Sequence, residues 1–389
     1  MLPDPRSPAV LAEIAEGAED LDRGLHGPEL EIEILKRHGW LRGALPREFG
    51  GQGWGHGATG ARNGFAALFM LGSVSLPITR IFEGHVNAVR LIDRYGTQAQ
   101  RERVFDDVHG GALLAIWGAD GDKPARTNAG SLVGAKTFAS GLGEVAHAIA
   151  TATDDGQSCQ MVLVAAHDPA RWNLAAWDVA AMVGTRSGEF TIDDLPASAD
   201  YLLGAPNALF GEPDFNGGVW RLCAGYAGAM AAIAQHTFDL AQYRGGEVDA
   251  RMRLRLGHVQ HHAQTALLWA WHACRCVETA VADDDASVDR AVATTLFARE
   301  AIEQAAIAQM SLVERIAGTS LHRRGSLLGR MMRDFRFFLR QAALDAKLDS
   351  ALAMRPAAPG VMLADVIDDV GLPDYIRGHS GNFREGQTC

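Results

Sequence analysis

Cysteine is scarce and scattered. The 389-residue chain holds five, Cys159, Cys223, Cys274, Cys276 and Cys389, an odd number with no CxxC spacing. That argues against a disulfide framework and a paired-cysteine zinc site, and fits a reducing compartment. No stretch of ~18 or more apolar residues is free of charges and breakers, so no membrane span is expected. The first residues, "MLPDPRSPAV", lack a basic region leading into an apolar run, so no signal peptide is expected and the reading places the chain in the cytoplasm. Positive charge is also short: 36 Lys and Arg stand against 47 Asp and Glu, a net charge of -11. A field of that sign repels polyanions and removes nucleic acid as a main partner. There is no internal repeat and no low-complexity tract.

What is present falls into zones of different texture. At a soft prior of ~150 residues per domain, the length suits two or three domains. Over residues 1–113, apolar residues recur at helical spacing, as in "VLAEIAEGAEDLDRGL", interrupted by the glycine-rich "LPREFGGQGWGHGATG". Over 114–212 the period shortens. Runs such as "AHAIATAT" and "CQMVLVAAH", punctuated by Gly, Asp and Pro, predict strands and turns. Over 213–355 long amphipathic helices return, the last of them spanning "LHRRGSLLGRMMRDFRFFLRQAALDA", Leu321 to Ala346. Residues 356–389 read as a tail. The expected fold is mainly α with a central β domain: an N-terminal helical domain, a small barrel-like middle domain and a C-terminal four-helix bundle. A site belongs in the cleft between them, and a small molecule is the expected ligand.

Six segments in order resemble the acyl-CoA dehydrogenase superfamily of flavoproteins, which includes related flavin-dependent monooxygenases. "LPREFGGQGWG" is similar to its Pro-x-x-x-Gly-Gly-x-Gly loop, and "DRYGTQAQRERVF" to its Gly-Thr-x-x-Gln turn. "GALLAIWGADGD" stands where the family has its first flavin-contacting strand, and "GSLVGAKTFASG" resembles the strand pair ending in Lys-x-Trp-Ile-Thr. "MVGTRSGEFTIDDLPASADYLLG" and "ERIAGTSLHRRGSLLGRMMRDFR" are similar to two later segments. The resemblance implies FAD as cofactor. It implies that Phe138 stands for the ring-stacking Trp, Ser140 for the Thr that reaches flavin N5, and Gly118 for a contacting Thr whose side chain is missing. Trp117 lies on the neighbouring strand end. Arg244 matches the arginine that reaches the flavin phosphates across a subunit boundary, with Arg251 or Arg253 as alternatives. Gly318, Thr319 and Ser320 match the turn whose backbone approaches the cofactor. The bland reading of each is a core aromatic, a helix-end cation or a helix cap.

The resemblance also marks a gap. Dehydrogenation needs a carboxylate to take the substrate's α-proton while hydride passes to the flavin. The two positions that carry it in the family hold Trp220 and Ala342 here, and the monooxygenases' His is absent as well. Asp345, His322 and His85 are the candidates for a displaced base. Asp334 reads as a packing partner of Arg330 or Arg333. His258, His261 and His262 have partial metal spacing but no HExxH order, so no metal is expected. Three readings stay open: a dehydrogenase of an acyl thioester with a displaced base, a monooxygenase using reduced flavin and oxygen, and a degenerate subunit pairing with an active homologue. The resemblance implies a homodimer or homotetramer, and the apolar "ALLWAWHACRC" helix, with Trp269 and Trp271, offers surface for it.

Overall fold

The computed structural model describes residues 3–154, 156–243, 249–340 and 344–354; Arg244, Ala342 and the tail 356–389 lie outside the described residues. The chain opens with six helices, α1 (Pro8–Asp22), α2 (Glu29–Arg37), α3 (Trp40–Gly43), α4 (Gly57–Gly72), α5 (Leu76–Tyr95) and α6 (Gln98–His109). Local chemistry sets their ends. Ser75 accepts from the Ile78 N–H at the start of α5, where Pro77 occupies the first turn. Thr97 and Gln100 cap α6 reciprocally. Gln100 also donates to the carbonyls of Asp200 and Leu202 at 3.0 and 2.9 Å, tying α6 to the strands that follow. The glycine-rich loop hugs α4 because no side chain intervenes: a Cβ on Gly60 would stand 1.7 Å from the Gly53 carbonyl oxygen.

Nine short strands follow: β1 (Leu113–Trp117), β2 (Arg126–Asn128), β3 (Ser131–Val133), β4 (Ala135–Lys136), β5 (Val145–Thr153), β6 (Cys159–Ala165), β7 (Trp172–Asn173), β8 (Glu189–Thr191) and β9 (Leu202–Leu203). One sheet runs β3-β2-β5-β6-β9, with β1 alongside β5; the other runs β4-β8-β7. β1 lies parallel to β5, with Ile116 opposite Ile149, and β5 lies antiparallel to β6, with Ile149 opposite Leu163. Trp117 of the first sheet meets Phe190 of the second at 4.9 Å, so apolar packing joins the two sheets.

The C-terminal helices are α7 (Trp220–Tyr243), α8 (Ala250–Glu278), α9 (Asp285–Ala317), α10 (Leu327–Phe338) and α11 (Leu344–Ala353). α7, α8 and α9 pack in sequence, α4 packs on α7, and α10 crosses α7. Glycines permit the α4–α7 approach: a Cβ on Gly228 would stand 1.9 Å from the Phe69 carbonyl oxygen. The expected fourth long helix is shorter than its pattern suggested. The chain turns at Gly325, whose φ is 76°, and Ser326 starts a new helix by accepting from the Gly329 N–H at 3.1 Å. No helix among the described residues is long and apolar enough to cross a membrane.

Candidate functional site

Four of the expected residues meet at one end of the β domain. Phe138 is 59% exposed, and its backbone is left-handed at φ 51°. A bulky residue held there costs about 1–3 kcal/mol, so the fold presents this ring outward against its own backbone preference. Its edge meets Trp177 at 5.9 Å, and Trp177 in turn meets Phe337 of α10 at 5.7 Å. The result is an aromatic wall running from the β domain to the helical bundle. Beside it stands a file of hydroxyls. Thr185 and Ser187 are 2.8 Å apart, and Ser187 donates to Ser140 at 3.1 Å. Gly118 is exposed, and a Cβ there would meet nothing within 4 Å. Its carbonyl accepts from Lys136 Nζ and from the Thr151 hydroxyl, both at 3.0 Å. Lys136 is fully buried, which lowers its pKa, and it also donates to Asp120 at 2.6 Å. These bonds anchor the strand end on which Gly118 sits.

Trp117 belongs beneath this wall rather than in it. It is 2% exposed, and its indole N–H donates to the Ser140 carbonyl at 3.2 Å. Its role here is to support Ser140; Phe138 is the aromatic face that remains open.

The expected base position is closed. Trp220 is fully buried and donates to Glu278 Oε1 at 3.0 Å. The same oxygen accepts from Arg221 at 3.0 Å, and Oε2 accepts from Arg90 at 3.2 Å and from the Gly57 N–H at 2.8 Å. Arg221 also donates to the Gly55 carbonyl at 2.9 Å, and Arg90 continues to Asp214. Glu278 is therefore a carboxylate spent on four donors, and the knot locks the glycine-rich loop, α5, α7 and α8 together. Nearby His56 is held neutral, its pKa pushed down to about 3 by burial and by Arg90 and Arg221.

Residues 9–112 match the family model described as the N-terminal domain of acyl-CoA dehydrogenase. Solved structures of the same architecture include FMN-bound TdsC from Paenibacillus sp. A11-2, at 17% identity over 88% of this chain and 94% of that one, TM-score 0.75. KijD3, in complex with FMN and dTDP-3-amino-2,3,6-trideoxy-4-keto-3-methyl-D-glucose, aligns at 19% identity over 92% and 94%, TM-score 0.77. Methanesulfinate monooxygenase MsuC from Pseudomonas fluorescens aligns at 17% over 91% and 98%, TM-score 0.75. The chain has the acyl-CoA dehydrogenase fold. No curated protein sequence matches it.

On that fold the three displaced-base candidates fare differently. His85 is a correction. It is fully buried on α5, with Nε2 2.9 Å from the Leu41 carbonyl and Nδ1 accepting from the Leu114 N–H at 3.1 Å. Burial pushes its pKa down to about 4. Both nitrogens are committed to main chain, so it ties α3 to α5 and β1 and has no lone pair for substrate. Asp345 is exposed on α11, and His322 is exposed just before α10, where it lines a cavity of about 730 Å³. Gly318 and Thr319 are exposed at the end of α9, and Ser320 donates to the Ala317 carbonyl at 2.7 Å. Arg251 and Arg253 are exposed on α8, and so are His258 and His261. Among the described residues no cluster of three or more His, Cys, Asp or Glu is placed to hold a metal. Trp269 is 37% exposed, whereas Trp271 packs on Phe65 at 5.1 Å.

Asp334 interacts electrostatically with Arg330 and Arg333 as expected, but its direct bond lies elsewhere: its Oδ1 accepts from the Met182 N–H at 2.7 Å, and Arg333 forms its ion pair with Asp22 of α1. The site residues that sequence reasoning missed are Trp177, Ser187, Phe337 and Glu278. Only Ser187 lay inside a segment that resembled the family. The other three act through contacts made across the fold and leave no local pattern.

Proposed function

We propose that this chain is a flavin-dependent monooxygenase that uses reduced flavin and oxygen on a small molecule, rather than an acyl-thioester dehydrogenase. The observation that carries the reading is Trp220, buried and bonded to Glu278 where the resemblance puts a dehydrogenase's base. Glu278 itself is saturated with donors, and Ala342 at the other base position has no group to take a proton. Oxygen chemistry needs no carboxylate at the substrate's α-carbon, so the closed position costs a monooxygenase nothing. The names of similar folds lean the same way, TdsC being called a dibenzothiophene monooxygenase and MsuC a methanesulfinate monooxygenase.

A flavin suits the residues present. Phe138 offers an open aromatic face, Gly118 leaves free space beside it, and Ser140 supplies a hydroxyl oriented by Ser187. Bound and reduced, the flavin would supply the two electrons that oxygen chemistry requires. Phe138 would stack against its ring, Trp177, edge-on to Phe138, would help exclude water, and Ser140 would hydrogen-bond its edge. FMN is the proposed form, in line with TdsC and KijD3, in place of the FAD implied by the resemblance. Exposed Leu267, Leu268 and Trp269 on α8 support a homo-oligomer.

Titration of the purified chain with FMN and with FAD, read by flavin fluorescence, tests the cofactor. Anaerobic addition of medium-chain acyl-CoA to the loaded protein then tests the chemistry. The expected result is uptake of FMN and a flavin that stays oxidised. Bleaching of the flavin by the thioester would overturn the monooxygenase reading. Failure to take up either flavin would leave the degenerate-subunit reading standing.

A further inference from the structure

A cavity of about 730 Å³ lies away from the aromatic wall. It lies between α1 and the first half of α10, and six arginines and four carboxylates line it. Three of those arginines already pair with acids: Arg23 with Glu19 one turn back on α1 at 4.0 Å, Arg333 with Asp22 of α1, and Arg336 with Glu314 of α9. Arg323, Arg324 and Arg330 form no ion pair among the described residues, and all three face the same hollow. Asp22, Asp334 and Glu19 partly offset the charge of Arg330, but Arg323 and Arg324 stand without such acids, and in a chain of net charge -11 their convergence with Arg330 on one concavity is a local inversion of sign.

The backbone adds to it. Gly325, left-handed at φ 76°, turns the chain, and Ser326 opens α10 at the cavity's edge. The first-turn N–H groups of that twelve-residue helix favour negative charge near them. A second hollow of about 490 Å³, reaching His236 and Leu240 of α7, shares Arg323, Arg324 and Ser326 with the first. The volumes fall in the range of small-ligand sites, roughly 300–1,000 Å³. Guanidinium forks match the paired oxygens of a phosphate, and the remaining carboxylate on the α1 wall, Glu16, can accept from hydroxyls.

We propose that this cavity binds the phosphate or diphosphate of a hydroxyl-rich small molecule, with Arg323, Arg324 and Arg330 as its anion ligands. The inference is independent of the oxygen chemistry proposed above. α10 links the two regions: Arg330 lines the cavity and Phe337, seven positions on, stands in the aromatic wall. At ~1.5 Å per residue that is roughly 10 Å along one helix. The phosphate can therefore come from a flavin mononucleotide or from a phosphorylated substrate, and the test separates them.

Isothermal titration calorimetry of the full chain with inorganic pyrophosphate and with uridine diphosphate measures the site directly. Both are expected to bind in a salt-dependent way and to weaken at least tenfold in the Arg323→Ala/Arg324→Ala double variant. Arg330→Met is expected to do the same, and Arg103→Ala, on exposed α6 surface, to leave binding unchanged. The double variant alters only exposed side chains, and its thermal unfolding reports its integrity. FMN and riboflavin titrations assign the source. A loss confined to FMN assigns the phosphate to the flavin, and a loss confined to uridine diphosphate assigns it to a substrate. Absence of pyrophosphate and nucleotide binding to the parent chain, or binding indifferent to all three arginines, overturns the proposal.

Discussion

Asp334 joins the bundle to the aromatic wall, and its replacement by Asn has a calculable outcome. The residue is 5% exposed, and burial, with Asp22 adding repulsion, pushes its pKa from 3.8 up to about 6. The Met182 N–H, Arg333 and Arg330 pull the other way and fail to offset burial. A carboxyl whose folded pKa lies above its unfolded value stabilises the fold fully below pH 3.8 and loses that contribution as pH rises through about 6. At neutral pH its ionisation costs about 3 kcal/mol, from a shift of about two units at ~1.4 kcal/mol each. Asp334→Asn keeps an oxygen acceptor for Met182 and removes the charge. It is expected to be more stable than the parent by about 1–3 kcal/mol above pH 6, with the gain gone below about pH 4. Urea unfolding at a series of pH values measures the difference. A gain that does not change with pH, or an Asn variant less stable than the parent at pH 8, would refute the reasoning. Asp334→Ala separates charge from hydrogen bonding. It strands the Met182 N–H at a cost of about 1–3 kcal/mol. It also loosens the turn whose Met182 carbonyl accepts from Trp177 at 3.3 Å and from Thr185 at 2.9 Å, so flavin affinity should fall with stability.

Other perturbations test the remaining links. Phe138→Ala should lower flavin affinity at least tenfold with little loss of stability, since the ring is 59% exposed; unchanged affinity in the fluorescence titration would remove it from the site. Glu278→Ala leaves Arg221 buried without its carboxylate and should cost about 3–5 kcal/mol in urea unfolding. His85→Gln should remove an acid-labile step: the parent loses stability as pH falls from 6.5 toward 4, where the buried imidazole must charge, and the variant should not. Lys136→Met leaves the Gly118 carbonyl, Asp120 and Thr151 without their shared donor, with an expected cost of about 2–4 kcal/mol and weakened flavin binding.

Much of the scaffold was legible because it rests on local rules. Helical spacing, the Thr97–Gln100 cap and the shift to short Val- and Thr-rich runs each act within a few residues. The fourth bundle helix was over-read because amphipathic spacing continues through "RRGSLLGR", while Gly325 and Ser326 break the backbone there. His85 was misjudged for a related reason. A histidine on an amphipathic helix looks available to substrate until the Leu41 carbonyl and the Leu114 N–H, 44 and 29 residues away, are seen to use both nitrogens. Glu278, 58 residues from Trp220, was invisible in the same way.

α10 shows why the arginine-rich stretch was ambiguous in sequence. Its residues serve four different ends within a few turns. Arg333 and Arg336 neutralise acids of α1 and α9, Asp334 holds the Met182 turn, Arg330 faces the cavity, and Phe337 completes the aromatic wall. A helix loaded with arginine in an acidic protein reads as one feature, yet each turn is addressed to a different neighbour. The paired arginines are explained by their acids, and Arg330 in part by Asp22 and Asp334; Arg323 and Arg324 are not, and nothing in packing requires these two exposed residues to stand side by side at a concave surface. That residue of unexplained charge is what makes the cavity, rather than the helix as a whole, the place to look for an anion.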